Sequence, residues 1–286
     1  MDARADPVAR CAMPPPDRSY ATSARSLTIG DDRIELLPAA PYDVGYTPQA
    51  PVIGFAFETQ AGIHAFASDR ASPFRTRPNS LAYVPAGCDV VSRSRSGGEY
   101  LAIRRVSAAP SDAWAERRFN DRVDPAAIAA ARALRRLILM DAAADPLEIE
   151  RELARLQAAA TRLLTGTMTD HRAARWITPR RLILIEDLVE ARLENGLSVR
   201  EMAAGLGLSA GFFNRAFKAA VGMTPHDYVI ERRVARARRL LLTTSAGLAD
   251  IAIACGFASH AHMTIQLRRR LGLTPSALRV RTYSRS

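Results

Sequence analysis

The spacing of apolar positions changes period along this chain, and the change divides it. Across residues 27–104 apolar residues fall in short alternating runs at 27–37, 52–58, 63–67, 81–84, 90–93 and 100–104. Turn chemistry separates them at Gly30-Asp31, Pro78-Asn79, Pro85-Ala86-Gly87 and Gly97-Gly98. Period two broken by closely spaced turns predicts the strands of a small β-sandwich or barrel. From Ser111 the spacing becomes helical. Ser111-Asp112 opens a helix holding Trp114, Asp124-Pro125 opens another reaching Met140, and Asp145-Pro146 opens a third. The third carries Leu147, Ile149, Leu153, Leu156, Ala160, Leu163 and Leu164 as an apolar stripe. That stripe suits the core of its own domain or a seam between two copies equally.

After Thr165 the periodicity lapses, then resumes near Thr178-Pro179 in a helix with Leu182, Ile183, Ile185, Leu188 and Val189. Two copies of one pattern follow, 50 residues apart. Ser209 precedes Phe213, Phe217 and Gly222-Met223-Thr224-Pro225; Ser259 precedes Met263, Leu267 and Gly272-Leu273-Thr274-Pro275. Matching offsets in both copies are stronger evidence than either alone. Each reads as helix, turn, helix. Gly205 and Gly207, or Gly256, make the turn, and the serine caps the second helix by accepting from its first-turn N–H groups. With the apolar stripe inward, Gly211, Asn214, Arg215 and Lys218 face out in the first copy. His260, Ala261, Thr264, Ile265 and Arg268 do so in the second. An outward face of this kind is what a helix-turn-helix places in the DNA major groove. A plain helical hairpin explains one copy, but not two in register. Thr224-Pro225 starts a helix to about Leu242, a rod long enough to hold two such units on one face of a duplex.

Charge supports the same end of the chain. The formal net charge is +11, and residues 172–286 hold 18 Arg and one Lys against eight Asp plus Glu, so the whole surplus sits there. A segment with that balance suits phosphate. A membrane surface is the competing partner, but no long basic amphipathic helix or lipidation signal accompanies the charge, so no membrane is expected. Five arginines (Arg232, Arg233, Arg236, Arg238, Arg239) lie on the rod, some expected to pair with Glu231 or Asp250 and a subset to reach phosphate.

Catalytic chemistry finds little to build on. Among Cys11, Cys88 and Cys255 there is no CxxC pair, which fits a reducing, cytoplasmic setting. Cys255 reads as a small packed residue. The β-region has His64 without a partner at ligand spacing, and Glu58 and Glu99 read as isolated carboxylates. No metal or other cofactor is expected. A phosphate loop and a nucleophile elbow are both missing.

The residues of the repeats resemble the DNA-binding domain of the AraC/XylS family of transcription regulators. The resemblance rests on Met202-Ala203, Ser209 with Phe213-x-Arg215-x-Phe217-Lys218, Gly222-x-Thr224-Pro225, and Tyr228 followed by Arg233-Val234-x-x-Ala237-x-x-Leu240-Leu241. It continues through Asp250-Ile251-Ala252, Gly256-Phe257-x-Ser259 and Gly272-x-Thr274-Pro275-x-x-x-Arg279, covering roughly 178–284. The second copy departs from the family at His262-Met263, Leu267 and Leu278, where aromatic residues are customary. The segment 78–87 is similar to a cupin strand and turn, the usual effector-domain fold of such regulators.

The expected fold class is therefore α+β. A mobile arm (1–20) precedes a cupin-like β-sandwich or barrel with following helices (21–165; β-rich 27–104, helical 111–165). A linker (166–177) then leads to an all-α domain (178–284) with helix-turn-helix motifs at about 197–218 and 247–270, joined by the long helix. The resemblance implies a regulator of promoter DNA that acts on RNA polymerase, controlled by a small-molecule effector or by homodimerisation, and it tilts the apolar stripe of the third helix toward a seam between copies. The competing readings are a cupin-like metal enzyme or DNA-repair protein fused to such a module, and an architectural binder indifferent to sequence.

Overall fold

The computed structural model describes residues 24–105, 117–140, 144–166 and 172–283. The arm expected at 1–20, the helix expected at Ser111 and residues 167–171 of the linker lie outside the described residues. The alternating runs build two antiparallel sheets. The first contains β1 (Arg25–Ile29), β2 (Asp32–Leu37), β4 (Val52–Ala56), β7 (Ser80–Val84), β9 (Tyr100–Arg105) and β10 (Phe119–Arg122). The second contains β3 (Tyr42–Tyr46), β5 (Gln60–Phe66), β6 (Ser72–Thr76) and β8 (Val90–Ser94). Their orders are β1-β2-β9-β4-β7-β10 and β3-β8-β5-β6. Strands β3, β6 and β10 are not among those expected. Each is a sheet edge, which needs no continuous apolar face, and β6 carries Pro73, tolerated only at such an edge. The run 27–37 is a hairpin, turned at Gly30.

Alternation sorts the first sheet onto two faces. Ile34, Leu36, Phe55, Leu81, Leu101 and Ile103 point one way and are buried. Helices α1 (Pro125–Met140) and α2 (Pro146–Thr165) cover that face. Asp124 caps α1 by accepting from the Ala127 N–H at 2.8 Å, and Asp145 caps α2 from the Leu147 N–H at 3.0 Å. In α2, Ile149, Leu153, Leu156 and Ala160 are buried in this core, with Leu163 packed against it, so the stripe is intradomain packing rather than a seam between copies. Leu147 stands apart from it, 72% exposed.

Helix α1 is buried almost all round, including Ala127, Ile128, Ala131, Leu134, Leu137 and Ile138. A helix of that kind must lie between two bodies. On its far side is the all-α part: α3 (Pro179–Ala191), α4 (Val199–Ala204), α5 (Ala210–Val221), α6 (Pro225–Thr243), α7 (Leu248–Ala254), α8 (His260–Leu271) and α9 (Pro275–Tyr283). Around α3, α4 and α5 there is a separate core with Ile185, Val189, Met202, Phe213, Phe217 and Tyr228. Ile251, Met263, Leu267, Leu271, Leu273 and Leu278, by contrast, are continuous with the core of α1, α2 and the first sheet. Ahead of α3, a 3-10 turn at Arg172–Trp176 sets Trp176 edge-on to Phe212, ring centroids 5.3 Å apart.

Candidate nucleic-acid interface

Two serines start the helices that matter most. Ser209 accepts from the Phe212 N–H at 3.3 Å and Ser259 from the His262 N–H at 3.1 Å, satisfying first-turn donors that the helix itself leaves open. Phe213, Ala216 and Phe217 of α5 are buried, as are Met263, Leu267 and Leu271 of α8. Helical periodicity then turns the expected residues outward. Gly211, Asn214, Arg215 and Lys218 (the chain's only lysine) are exposed on α5. On α8, His260, Ala261, Ile265 and Arg268 are exposed and Thr264 is half-buried, its hydroxyl donating to the His260 carbonyl at 3.0 Å. Ile265 is 61% exposed, so this face is not rotated into the core.

Arginines of α6 are paired as expected, but with partners other than Glu231 and Asp250. Arg232 pairs with Glu190 at 2.6 Å, Arg236 with Glu194 at 2.5 Å and Arg238 with Glu99, while Arg233 donates to the Leu193 carbonyl at 3.0 Å. Glu231 is taken by Arg132, Arg135 and Arg270 instead. The rod's charges mainly tie it to its neighbours.

Glu58 and Glu99 are isolated in sequence but not in space. Arg135 of α1 is buried between Glu99 at 3.2 Å and Glu231 at 3.4 Å, its guanidinium 4.5 Å from the Phe57 ring centroid. Burial pushes the Glu99 carboxyl up, but Arg238 and Arg135 pull harder and hold it below the usual carboxylate range. Glu231 is depressed for the same reason, with Arg135, Arg132 and Arg270 overcoming its burial. Glu58 goes the other way, raised by burial despite Arg232. No local pattern signals this cluster, which joins the β-domain, α1, α6 and α8.

The other titratable groups singled out in the sequence are packed. His64 stacks on Phe74 and meets Phe66 edge-on, both centroids 4.8 Å away; burial, with the Arg118 charge, lowers its pKa. Burial pushes the Cys255 thiol up to about 11, which disfavours the reactive thiolate. Among the described residues no group of three or more His, Cys, Asp and Glu stands where it could hold a metal ion, and no helix is long and apolar enough to cross a membrane.

Between the sheets lies a cavity of about 770 Å³. Tyr42, Tyr46, Phe66, Phe74 and Tyr100 line it, with Arg104 paired to Glu35 at 2.5 Å. The Tyr42 hydroxyl is 3.2 Å from Gln60 and 3.3 Å from Ser92. Gly54 makes room for Tyr100: a Cβ there would stand 1.7 Å from its hydroxyl oxygen. Tyr42, Tyr46 and Phe74 lie on the edge strands β3 and β6, whose residues carry no alternation that would single them out.

Two helix-turn-helix units sharing one long helix define a tandem helix-turn-helix domain. Comparison with known proteins agrees: the helix-turn-helix domain family matches residues 202–281. The probable transcriptional regulator LumQ of Photobacterium leiognathi is 32% identical over 95 residues, 33% of this chain and 38% of that protein. The HTH-type transcriptional regulator ArgR of Pseudomonas aeruginosa is 35% identical over 88 residues, 31% of this chain and 27% of that protein. This chain thus spans well under half the length of these curated relatives. A solved transcriptional regulator with an AraC-type DNA-binding domain, from Chromobacterium violaceum, is 35% identical and covers 36% of this chain and 92% of its own, with TM-score 0.35. The DNA-binding domain of AdpA, solved with a target DNA, is 30% identical, covers 37% and 95%, and has TM-score 0.35. The C-terminal part of the chain is an AraC-family helix-turn-helix DNA-binding domain.

Proposed function

We propose that this chain is a sequence-specific transcription regulator that reads promoter DNA through α5 and α8 and answers to a small molecule through its β-domain. The observation that carries the reading is the pair of exposed polar faces on two serine-capped helices, mounted on one helix of 19 residues. At ~1.5 Å per residue that helix is roughly 28 Å long, comparable to the ~34 Å of one DNA turn. The relatives named above are regulators, not enzymes. Promoter occupancy would act by recruiting or blocking RNA polymerase.

The test is selection of binding sites from a random duplex pool by the full chain. An architectural binder would enrich nothing. Arg215 can take guanine O6/N7 and Asn214 adenine bidentately, each worth about 1–3 kcal/mol of discrimination. Ala261, Thr264 and Ile265 offer methyl contacts and one hydroxyl. The α5 half-site should therefore emerge sharply defined and the α8 half-site loosely. Arg215→Ala should relax preference at one base, whereas Ile265→Ala should shift it only modestly. A sharper α8 half-site would show the asymmetry to be reversed.

The cavity between the sheets is the place for the effector, its volume within the range of small-molecule sites. In this reading the cupin-like sandwich takes a small amphiphilic aromatic, stacked among the tyrosines and phenylalanines and oriented by Gln60, Ser92 and the Arg104–Glu35 pair. A ligand at about 100 times its Kd should raise the Tm by about 5 °C. Ala102→Phe, which fills the cavity, should abolish that rise while leaving DNA affinity intact; an unchanged rise would place the ligand elsewhere.

A further inference from the structure

Both recognition helices end on the same element. Gly222 closes α5 and Gly272 closes α8, each at φ 74. A Cβ at Gly222 would stand 2.1 Å from Ile128 Cδ1 and 3.0 Å from Val123 Cγ1. A Cβ at Gly272 would stand 3.0 Å from Met140 Cγ and Sδ. Ile128 and Met140 lie near opposite ends of α1, about 18 Å apart at ~1.5 Å per residue. Helix α1 therefore spans from the foot of one reading helix to the foot of the other.

Polar contacts repeat the arrangement. The last carbonyls of an α-helix have no partner within it. Those of α5 accept from the β-domain: Arg77 Nη1 donates to the Ala220 oxygen at 3.2 Å and Asn79 Nδ2 to the Val221 oxygen at 3.1 Å. At the end of α8, Arg135 Nη2 of α1 lies 3.5 Å from the Arg270 oxygen. Arg270 is in turn held by Glu231 at 2.7 Å and Asp227 at 3.0 Å, and Glu231 is the carboxylate shared with Arg135. A cation near a helix C-terminus also complements its dipole. None of these contacts touches the outward faces of α5 or α8.

We infer that α1, with Arg77 and Asn79, is a positioning element that sets the separation of the two recognition helices and hence the half-site spacing the protein accepts. The reading rests on sequence-specific binding through α5 and α8, as proposed above. In it the β-domain does not mask the DNA-reading surface. It supplies the second fixed edge, alongside α6, of the frame carrying both helices. A change within the β-domain that shifts α1 would alter spacing preference without altering any base contact.

The experiment uses the full chain and the operator selected by the wild type, together with versions carrying one base pair more or fewer between half-sites, and each half-site alone. One base pair rotates a half-site by about 34° around the duplex, so the wild type should lose about tenfold or more in affinity. Asn79→Gly removes a cap donor at a position whose φ of 59 glycine adopts freely, and Met140→Ala loosens the other end at a side chain already 37% exposed. The double variant, shown folded by its melting transition, should lose less than about threefold on the altered operators while binding each single half-site as the wild type does. Should the pair prove unstable, Met140→Ala alone should give an intermediate loss. A folded variant with an undiminished spacing penalty overturns the inference. A wild type that selects no operator removes the DNA-reading premise instead, and the two failures are distinguishable.

Discussion

Replacing Arg135 by methionine is expected to destabilise the protein by about 3–5 kcal/mol, because removing one partner of a buried ion pair strands the others. Its guanidinium is 5% exposed and lies between Glu99 and Glu231, themselves 7% and 16% exposed. Neither carboxylate is left wholly alone. Arg238 still faces Glu99, and Arg132 and Arg270 face Glu231, which places the expectation toward the lower end. Urea unfolding of the full chain at neutral pH measures it. Adding Glu99→Gln should recover part of the loss, since a buried amide costs less than a buried carboxylate. A loss below about 1 kcal/mol would mean that water reaches the cluster on unpairing.

Acid should close the gap between variant and wild type. Glu99 and Glu231 titrate below the ordinary carboxylate range when folded. Their stabilisation is complete above the unfolded value near ~4.3 and is lost as pH falls through the folded values. Glu58, raised by burial, contributes in the opposite sense: its share is present below the unfolded value and disappears as pH rises through the folded one. Wild-type stability should therefore fall below about pH 4, with the Arg135→Met curve flatter there.

What the sequence discloses and what it hides follow from the range of the interactions. The helix-turn-helix units are legible because cap, stripe and terminal glycine lie within 13 residues of each serine. The strands of the first sheet other than β10 show through their alternation. Edge strands β3, β6 and β10 do not, since pairing on one side leaves composition free. The Glu99–Arg135–Glu231 cluster joins positions 36 and 96 residues apart, and no period records such pairing. Glu99 thus reads as isolated until the fold brings two arginines to it. The same blindness overstates the arginines available to DNA.

That overstatement has a measurable counterpart in the salt dependence of DNA binding. If every basic group of residues 172–286 met a phosphate, the slope of log affinity against log salt would be near −17, at about −0.9 per contact. The structure engages several of them elsewhere: Arg232, Arg236 and Arg238 are ion-paired, Arg233 holds a carbonyl, and Arg270 is bound by Glu231 and Asp227. Arg200, Lys218, Arg268 and Arg269 are exposed on or beside the reading helices, with Arg215 assigned to a base. About four to five phosphate contacts give a slope of roughly −4 to −5, a loss of a few hundredfold between about 50 and 200 mM salt. Fluorescence anisotropy of the full chain on its selected operator measures the slope. Lys218→Ala should make it shallower by about one and weaken all sequences alike, whereas Arg236→Ala should leave it unchanged. A slope steeper than about −8 would mean that the α6 arginines abandon their carboxylates on DNA, and one shallower than about −2 would deny the exposed basic groups a phosphate role.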